Sequence, residues 1–222
     1  LGSPEAMSKS RKNIVDPEDI IQNFGADAIR WFMLSDSPPG RDIQWSNEGI
    51  SSSYKFIQKM WNLNSNIIGR NKQLDNAEDS QLDEYTNKMI FNITKNLDNF
   101  QYNVVIANFY DIYNNYSRFI ENKKISNDIL IKNFEKILIL IMPLLPHFAS
   151  ECLITLNSKL NLDNISWPTY DKTLIKASDC NIVIQINGKK RSLIKLPIDS
   201  KENFVVEKAK QEVNIKKYLA NN

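Results

Sequence analysis

The sequence predicts a mainly α-helical protein in three parts. Four long segments between residues 46 and 145 repeat apolar residues at the spacing of a helix face. Two shorter helical segments precede them, and residues 181–197 alternate apolar with polar side chains around an Asn-Gly pair. We therefore predict a small helical region, a helical bundle and a small α+β domain, which cover residues 1–45, 46–170 and 171–222.

The composition is that of an ordinary globular protein, with 42% hydrophobic and 24% charged residues among 222. The formal net charge is +2, but residues 179–222 hold nine Lys/Arg against five Asp/Glu, which favours a polyanionic partner. Cys152 and Cys180 lie far apart without Cys-x-x-Cys spacing, so neither a disulfide nor a metal framework is indicated. This cysteine usage, the lack of an apolar run of ~18 residues and the lack of a secretory signal favour a cytoplasmic protein.

A cationic segment at residues 7–13 is the first feature with a chemical meaning. It has no apolar side chain after its first residue, and it combines two hydroxyls with three cations: Ser8, Ser10, Lys9, Arg11 and Lys12. Such a segment cannot bury itself, so we expect an exposed, mobile loop. Cations and hydroxyls on a loop suit transient contact with phosphate. A solvated basic loop or a phosphorylation site fits the same residues equally well.

Two short helices should follow this loop. The pair Asp16-Pro17 fits the cap and the first position of a helix over residues 17–24, which Gly25 would end. A second helix over residues 27–35 is apolar on most sides, so we expect it to be buried against the first, with Arg30 reaching out. The Pro- and Gly-rich residues 36–40 should end this unit.

The bundle is predicted to contain four helices, and Ser46 and Ser126 are expected to cap two of them. The helices cover approximately residues 46–70, 81–99, 103–121 and 126–145, and residues 71–81 are expected to form a polar loop. The fourth helix is apolar nearly all round, which marks it as the central one. Pro143 and Pro146 should kink or break it near its end.

The first bundle helix carries an apolar stripe at helical spacing. The predicted stripe consists of Ile50, Tyr54, Ile57, Trp61 and Ile68. Three cations fall on or beside the opposite face: Lys55, Lys59 and Arg70. We therefore expect these cations to face solvent.

Two features of the bundle admit a functional and a structural interpretation. Tyr110, Tyr113 and Tyr116 could stack RNA bases, but inside an apolar stripe we interpret them as core residues. The only histidine, His147, has no serine, cysteine or second histidine beside it in a recognisable motif. We therefore predict a structural role for His147 rather than that of a general base.

The C-terminal part is predicted to be a hairpin followed by a helix. Strands at residues 181–187 and 189–197 would be joined at Asn187-Gly188, a strong hairpin signal, with Ile194 and Leu196 facing one way. We expect Ser200 to cap a helix that runs to about residue 212, and a shorter turn at residues 215–219.

Several of these segments resemble the class I aminoacyl-tRNA synthetases. The signature loop of that class and the helix pair after it are similar to Met7-Ser8-Lys9-Ser10, Asp16-Pro17 and Phe24-Gly25-Ala26-Asp27. The leucyl-tRNA synthetase family in particular is similar at residues 30–46, which include Pro38-Pro39, and at Val183-Ile184-Gln185-Ile186-Asn187-Gly188-Lys189. Residues 144–151, with Pro146-His147, resemble a late segment of the anticodon-binding domain of these enzymes.

The resemblance implies a fold for each part of the chain. Residues 1–45 would hold the KMSKS loop and the stem-contact helices, residues 46–170 an anticodon-binding helical bundle, and residues 171–222 an incomplete C-terminal tRNA-binding α+β domain. Because that domain has further strands in the family, we expect residues 179–222 to be loosely held or to pair with another chain through an open sheet edge.

The resemblance also implies site residues. Lys9 would stabilise the triphosphate and the departing pyrophosphate during amino-acid activation, with Ser8 and Ser10 beside it and Met7 also contacting ATP. The family loop normally opens with a lysine, and here that position is Ala6. One charge that would help to hold the outer phosphates is therefore absent.

The function implied is attachment of leucine to tRNA(Leu) with ATP and Mg. The nucleotide-binding fold, the His-x-Gly-His segment and the editing insertion of the family lie N-terminal to the loop, so this chain alone is expected to make no adenylate and to hold no cofactor stably. It would act as a monomer that binds tRNA, with phosphate contacts from Lys55, Lys59, Lys189, Lys190 and Arg191. Each of these also fits a solvated surface cation.

Two other functions remain open from the sequence. The chain could be a free-standing tRNA-binding module or a subunit of a split synthetase. An isoleucyl or valyl relative is the third possibility, which the Pro38-Pro39 segment and the Asn-Gly hairpin disfavour.

Overall fold

The computed structural model describes residues 5–35, 37–70, 80–158, 160–174, 179–186, 188–197, 200–212 and 214–216, without the side chains of 179–181 and 197. The chain forms two compact units, Leu1–Asp171 and Lys172–Asn222. The described helices of the first unit are α1 (Pro17–Phe24), α2 (Ala26–Ser35), α3 (Asn47–Gly69), α4 (Ser80–Asp98), α5 (Tyr102–Glu121), α6 (Asn127–Ile141) and α7 (Pro146–Leu156). The second unit contains β1 (Asp179–Ile186), β2 (Lys189–Pro197) and α8 (Glu202–Gln211). None of the described helices is both long and apolar enough to cross a membrane.

The two predicted N-terminal helices are confirmed with their caps. The Asp16 carboxylate accepts a hydrogen bond from the Glu18 N–H at 2.9 Å, so it satisfies one of the free donors at the start of α1. Gly25 ends α1 with φ +81°, a left-handed conformation that glycine adopts without a steric penalty. The chain can therefore reverse at Gly25 and begin α2 at the next residue.

The core of the first unit runs from α2 through α7. Its fully buried side chains include Trp31, Phe109, Tyr116 and Phe134, which come from α2, α5 and α6. A second, smaller cluster joins α2 to α3 through Ala28, Phe32 and Ile50, and the partly buried Ile20 and Phe24 of α1 pack on it. The N-terminal helices thus share their packing with the bundle. The predicted division at residue 45 stays a prediction.

The predicted apolar face of α3 was correct at Ile50 and Ile57 but wrong at its other three positions. Tyr54, Trp61 and Ile68 are 36%, 41% and 41% exposed. The buried residues of α3 are Ile50, Ser53, Phe56, Met60, Leu63, Asn64 and Ile67. Two polar residues on this face form hydrogen bonds: the Ser53 hydroxyl donates to the Gly49 carbonyl, and the Asn64 amide nitrogen donates to Thr155 Oγ1.

The expectation that Arg70 faces solvent was also wrong. Its side chain is 7% exposed. One guanidinium nitrogen, Nη2, donates to the carbonyls of Asn122 and Ile125 at 2.7 and 2.8 Å. Burial lowers the pKa of Arg70, and the charge of Glu121 opposes this shift. Arg70 therefore ties the end of α3 to the loop between α5 and α6.

The remaining bundle predictions were largely correct. Ser46 and Ser126 cap α3 and α6 by accepting from the N–H of Gly49 and of Ile129. α6 packs against α3, α4, α5 and α7, as expected of a central helix. The predicted break near Pro143 is confirmed, but Pro146 then starts α7, a further helix that the sequence patterns did not predict. Residues 71–79 of the predicted polar loop lie outside the described residues.

Replacing Gly49 with alanine is expected to destabilise the first unit by about 1–3 kcal/mol, as overpacking does. A Cβ on Gly49 would lie 2.5 Å from Cε2 of Phe32, which is itself buried. Because the Phe32 ring belongs to the small cluster between α2 and α3, it has little room to move. Urea denaturation followed by tryptophan fluorescence would measure the loss.

The matched control is Gly69→Ala at the other end of the same helix. No atom lies within 4 Å of a Cβ at this position. Alanine favours the helix over glycine by up to about 1 kcal/mol, so this variant should be unchanged or slightly more stable. Equal destabilisation by both substitutions would contradict the steric explanation.

The second unit is built on an antiparallel hairpin, as predicted. Ile182 pairs with Ile194 and Val183 with Leu193, so the apolar residues alternate between two faces. Ile194 and Leu196 are buried, and Ile215 is buried in the same unit. A β-bulge interrupts the ladder after Ile184, where the register changes from the pair Ile184–Ser192 to the pair Gln185–Lys190.

The predicted cap of the last helix was wrong. Lys201, rather than Ser200, occupies the N-cap position of α8, and no side chain caps the helix there. Residues 214–216 contain a short helical turn after α8, while residues 217–219 of the predicted turn lie outside the described residues.

Candidate functional site

The cationic loop is exposed, as the sequence predicts, and it has a defined shape. Lys9–Arg11 form one turn of 3-10 helix, and Lys12 follows with φ +53° in the left-handed region. The N–H groups of Arg11 and Lys12 donate to the carbonyls of Ser8 and Lys9, both at 3.2 Å. The turn therefore holds three basic side chains, Lys9, Arg11 and Lys12, on a tightly curved backbone.

Asn13 closes this turn. Its Oδ1 accepts a hydrogen bond from the Ser8 N–H at 2.8 Å, and its Nδ2 donates to the Ala6 carbonyl at 3.3 Å. One amide side chain thus bridges the two ends of the loop. From the sequence, Asn13 was only the end of the polar stretch, because an asparagine in a loop gives no indication of its distant partners.

The side chain of Lys9 is available to a ligand. Lys9 is exposed, and among the described residues no hydrogen bond or ion pair holds its ammonium. The hydroxyls of Ser8 and Ser10 lie 3.2 Å apart beside it. Arg11 has an exposed ion pair with Glu5 at 3.7 Å, a contact that is worth little in water. Lys9 and Arg11 can therefore contact a phosphate with little loss of existing interactions.

An open depression of about 770 Å³ lies behind the loop. Its walls combine the loop residues Ala6, Met7 and Asn13 with apolar side chains such as Phe32, Met33 and Trp45. Met7, one of the predicted ATP contacts, therefore lies at the edge of a partly apolar surface rather than in solvent alone.

The predicted tRNA contacts fall in both compact units. Lys55 and Lys59 are exposed on α3, one helical turn apart, and the Lys59 ammonium lies 6.0 Å from the centre of the Tyr113 ring. Lys189 and Lys190 are exposed at the turn end of β2, next to the half-buried Arg191. The structure thus forms two pairs of neighbouring lysines, one in each unit.

Of the three tyrosines of α5 that were predicted to be core residues, Tyr116 is buried, Tyr113 is partly buried against the core, and the prediction was wrong for Tyr110. Tyr116 is fully buried, and its hydroxyl shares a 2.9 Å hydrogen bond with Thr86. Burial raises the pKa of Tyr116. Tyr110 packs its ring 4.3 Å from that of Phe56 but stays 43% exposed.

His147 has a structural contact. Its Nδ1 lies 3.0 Å from Oδ1 of Asp27, whose other carboxylate oxygen accepts from the Phe148 N–H at 2.7 Å. The histidine ring is 79% exposed while Asp27 is 10% exposed. The buried Asp27 was missed by the sequence analysis, because an acidic residue in the first turn of a helix is usually explained by that helix alone.

Cys152 is unsuited to nucleophilic chemistry. It is fully buried, and burial raises the pKa of its thiol to about 12, with a smaller contribution from Glu151. The thiolate that acts as a nucleophile is therefore scarce at neutral pH. In the described part of the chain, no three His, Cys, Asp or Glu side chains are grouped as metal ligands.

Comparison with known proteins places these features in a family. Residues 79–217, more than half of the chain, match the family model of the anticodon-binding domain of tRNA ligase. Residues 3–46, which include the loop, match the model of tRNA synthetases class I (I, L, M and V). The mainly α fold predicted from the sequence, with a bundle of the anticodon-binding type, is thereby confirmed.

Individual relatives are similar over nearly the whole chain. The leucine–tRNA ligase of Bartonella quintana (strain Toulouse) is 33% identical over 216 residues, which are 93% of this chain and 24% of that protein. That of Bartonella bacilliformis (strain ATCC 35685 / KC583 / Herrer 020/F12,63) is 35% identical over 207 residues, with 89% and 24% covered.

A solved structure has the same fold. The ternary complex of Agrobacterium radiobacter K84 agnB2 LeuRS with tRNA and LeuAMS matches with a TM-score of 0.71 and 22% identity, over 96% of this chain and 29% of that one. The chain spans about a quarter of the length of the curated relatives that it matches. With the anticodon-binding model covering most of its length, and with leucine–tRNA ligases similar along it, the chain belongs to the family of the anticodon-binding domain of class I tRNA ligases.

Proposed function

We propose that this chain is the C-terminal part of a cytoplasmic leucine–tRNA ligase, in which it supplies the phosphate-handling loop and the surface that holds tRNA(Leu). The observation that carries the proposal is the position of the exposed Lys9 loop on the same compact unit as the anticodon-binding type of bundle. The similarity to leucine–tRNA ligases over 93% of the chain supports leucine as the amino acid.

Lys9 is proposed to act on ATP. Its unpaired ammonium would stabilise negative charge on the triphosphate and on the departing pyrophosphate, and Met7, Ser8 and Ser10 would contact the nucleotide beside it. The loop fits a phosphate because it carries cations, and among the described residues no carboxylate competes with the phosphate for the Lys9 ammonium. Ala6 adds no charge, so we propose that the chain alone holds ATP weakly.

Magnesium would enter with the nucleotide. The described residues contain no group of carboxylates arranged to hold a metal ion. A Mg²⁺ ion commonly binds through substrate phosphates and water with few protein ligands. The role proposed for this chain is therefore to position the phosphates, which carry the ion with them.

The lysine pairs on α3 and β2 are proposed to contact the tRNA backbone. Lys55, Lys59, Lys189 and Lys190 are exposed, and Arg191 lies beside the second pair. Charges of this kind neutralise phosphates without reading bases, so we expect recognition by shape and backbone rather than by sequence.

A complementation assay tests the proposal. The part of a Bartonella quintana leucine–tRNA ligase that precedes the matched region would be mixed with this chain, and leucine-dependent exchange of labelled pyrophosphate into ATP would be measured. Activity that requires both parts, and that Lys9→Ala reduces by about 10²-fold or more, is the expected result. Activity of the first part alone, or full activity with Lys9→Ala, would contradict it. Activity with isoleucine or valine in place of leucine would reassign the amino acid.

Replacing Lys189 and Lys190 together with glutamate is expected to weaken binding of tRNA and to flatten its salt dependence. If each lysine neutralises one phosphate, the slope of log affinity against log salt should fall by about 1 per lysine. Filter binding of tRNA(Leu) to the chain across a salt series would measure both quantities.

The matched control is the double variant Lys201→Glu with Lys210→Glu, which makes the same change of net charge in the same unit. Both residues are exposed outside the hairpin turn. The control should shift affinity less and leave the slope nearly unchanged. Equal effects of the two double variants would mean that net charge, rather than the hairpin, attracts the tRNA.

The second candidate function is a free-standing tRNA-binding module. It is favoured by the continuous core from α2 to α7, which the unit Leu1–Asp171 forms from its own residues. Salt-sensitive binding of tRNA without any complementation of ligase activity would support this candidate over the first.

A further inference from the structure

A contact between α2 and the corner where α6 gives way to α7 is the feature that the proposed function does not use. The chain leaves α6 at Ile141 and starts α7 at Pro146. A helix that ends leaves its last carbonyls without partners, and one that starts leaves its first N–H groups free. Both needs arise here within a few residues.

The start of α7 has no cap of its own. Its N-cap residue is Leu145, whose side chain cannot accept a hydrogen bond, and Pro146 has no N–H. Asp27 supplies the missing acceptor from α2, since its Oδ2 accepts from the Phe148 N–H at 2.7 Å and its Oδ1 lies 3.0 Å from His147 Nδ1. A buried carboxylate at this position also complements the positive end of the α7 dipole.

Two carbonyls in the turn after α6 accept hydrogen bonds from the same helix, α2. Arg30 donates from Nη2 to the Pro143 carbonyl at 2.7 Å and from Nε to the Leu144 carbonyl at 3.0 Å. Its guanidinium complements the negative end of the α6 dipole. Asp27 and Arg30 lie three residues apart on α2, so both side chains project from one face of that helix. Arg30 is exposed, as the sequence predicted, but the two carbonyls that accept its hydrogen bonds were not predicted.

The two short helices α1 and α2 connect this corner to the cationic loop. The loop leads into α1 at the Asp16 cap, and α1 leads into α2 at Gly25. Ile20 and Phe24 of α1 pack on the cluster formed by α2 and α3. The position of α2 on the bundle therefore fixes where the loop ends.

We propose that Asp27 and Arg30 are positioning residues, which clamp the helices that carry the phosphate loop to the α6–α7 corner of the tRNA-binding bundle. The inference rests on the proposed function for its consequence in catalysis, but the clamp itself is a property of this chain. Through it, the orientation of the loop segment depends on the bundle. Neither residue is proposed to touch a substrate.

The test compares hydrogen exchange in three variants of the 222-residue chain. Arg30→Met removes both donors and keeps the apolar stem, and Arg30→Lys keeps the charge. The matched control, Arg70→Met, removes the same kind of guanidinium-to-carbonyl contact elsewhere in the bundle. Amide exchange would be followed by mass spectrometry on peptides from residues 5–24 and from α4.

Arg30→Met should raise the exchange rate over residues 5–24 by about tenfold while α4 changes by less than about twofold, because only local opening is made easier. Arg30→Lys should restore part of the protection, and Arg70→Met should leave residues 5–24 within about twofold of the original chain. A rise of the same size in both peptides, or the same rise with Arg70→Met, would overturn the clamp.

The complementation assay described above tests the effect of the clamp on catalysis. Arg30→Met should lower kcat of pyrophosphate exchange by about tenfold while KM for ATP and the affinity for tRNA change by less than about twofold, because the loop is misplaced rather than removed. Arg30→Lys should recover part of kcat. A loss in tRNA affinity alone would overturn the positioning role. If the original chain supports no pyrophosphate exchange, the proposed function fails while the hydrogen exchange result still decides the clamp.

Discussion

Replacing Trp31 with alanine is expected to lower the free energy of unfolding of the unit Leu1–Asp171 by about 3–5 kcal/mol, the range for truncating a buried aromatic residue. Trp31 is fully buried and stacks on Phe56, with 4.7 Å between ring centres and 17° between ring planes. Tyr110 and Phe109 contact it at ring distances of 6.2 and 6.1 Å. Its loss therefore opens a cavity at the place where α2, α3 and α5 meet.

Tryptophan fluorescence during urea denaturation would measure this change. All four tryptophans of the chain precede residue 172, so the signal reports on the first unit without interference from the second. This restriction matters because two units can unfold in separate steps.

Two controls distinguish the cavity from a general effect of losing a tryptophan. Trp61→Ala removes a side chain that is 41% exposed, so it should cost about 1 kcal/mol or less. Trp31→Phe keeps most of the ring, and within the described residues the indole N–H of Trp31 has no hydrogen-bond partner to lose. A loss below about 2 kcal/mol for Trp31→Ala would contradict the packing described for this cluster.

Replacing Arg70 with methionine is expected to cost about 2–4 kcal/mol, because two buried carbonyls lose a charged donor. Methionine keeps the volume of the stem, so the effect of the lost hydrogen bonds is separated from that of a cavity. The carbonyls concerned belong to Asn122 and Ile125 in the loop between α5 and α6. Opening of that loop should appear as faster amide exchange around residue 123.

Arg70→Lys is the control for charge. Lysine retains the positive charge but lacks the planar fork of the guanidinium, so it should recover only part of the stability. Thermal denaturation of the three proteins side by side would rank them. If methionine were as stable as arginine, the buried guanidinium would contribute nothing beyond its hydrophobic stem.

The sequence predicted the bundle helices better than the face that each one buries. In α3, the spacing of Tyr54, Trp61 and Ile68 is as regular as that of the true core residues Phe56, Met60 and Leu63. Ser53 and Asn64 lie on the buried face, so hydrophobic periodicity alone favoured the wrong side. Their hydrogen bonds, one of them to Thr155 on α7, are long-range facts that no local pattern contains.

The same limit explains the missed helix α7. Pro143 was correctly predicted to break the fourth helix, but Pro146 starts α7, and the side chain that caps α7 is Asp27, which lies 121 residues away from Phe148 in the sequence. A start signal that comes from another part of the chain cannot be found in a window around the helix. Ser126 and Asp16, by contrast, cap their own helices and were predicted correctly.

At the candidate site, the sequence predicted the exposure of the loop and the identity of its cations. Those properties depend on local composition, since a segment without apolar side chains cannot be buried. The closure by Asn13 and the connection from α2 to the bundle depend on contacts between distant residues. The ATP and tRNA contacts remain predictions.

The irregular ladder of the C-terminal hairpin determines which way its charges point. Gln185, an exposed residue, pairs with Lys190, and Ile184 pairs with Ser192. If the ladder had no bulge and residue 191 stood opposite Gln185, Lys190 would lie opposite Ile186, on the side where Ile194 and Leu196 are buried. The bulge thus keeps Lys190 off the face where the apolar side chains are buried, and deleting Arg191 would leave the pairs Gln185–Lys190 and Ile186–Lys189 in a regular ladder with the same polarity.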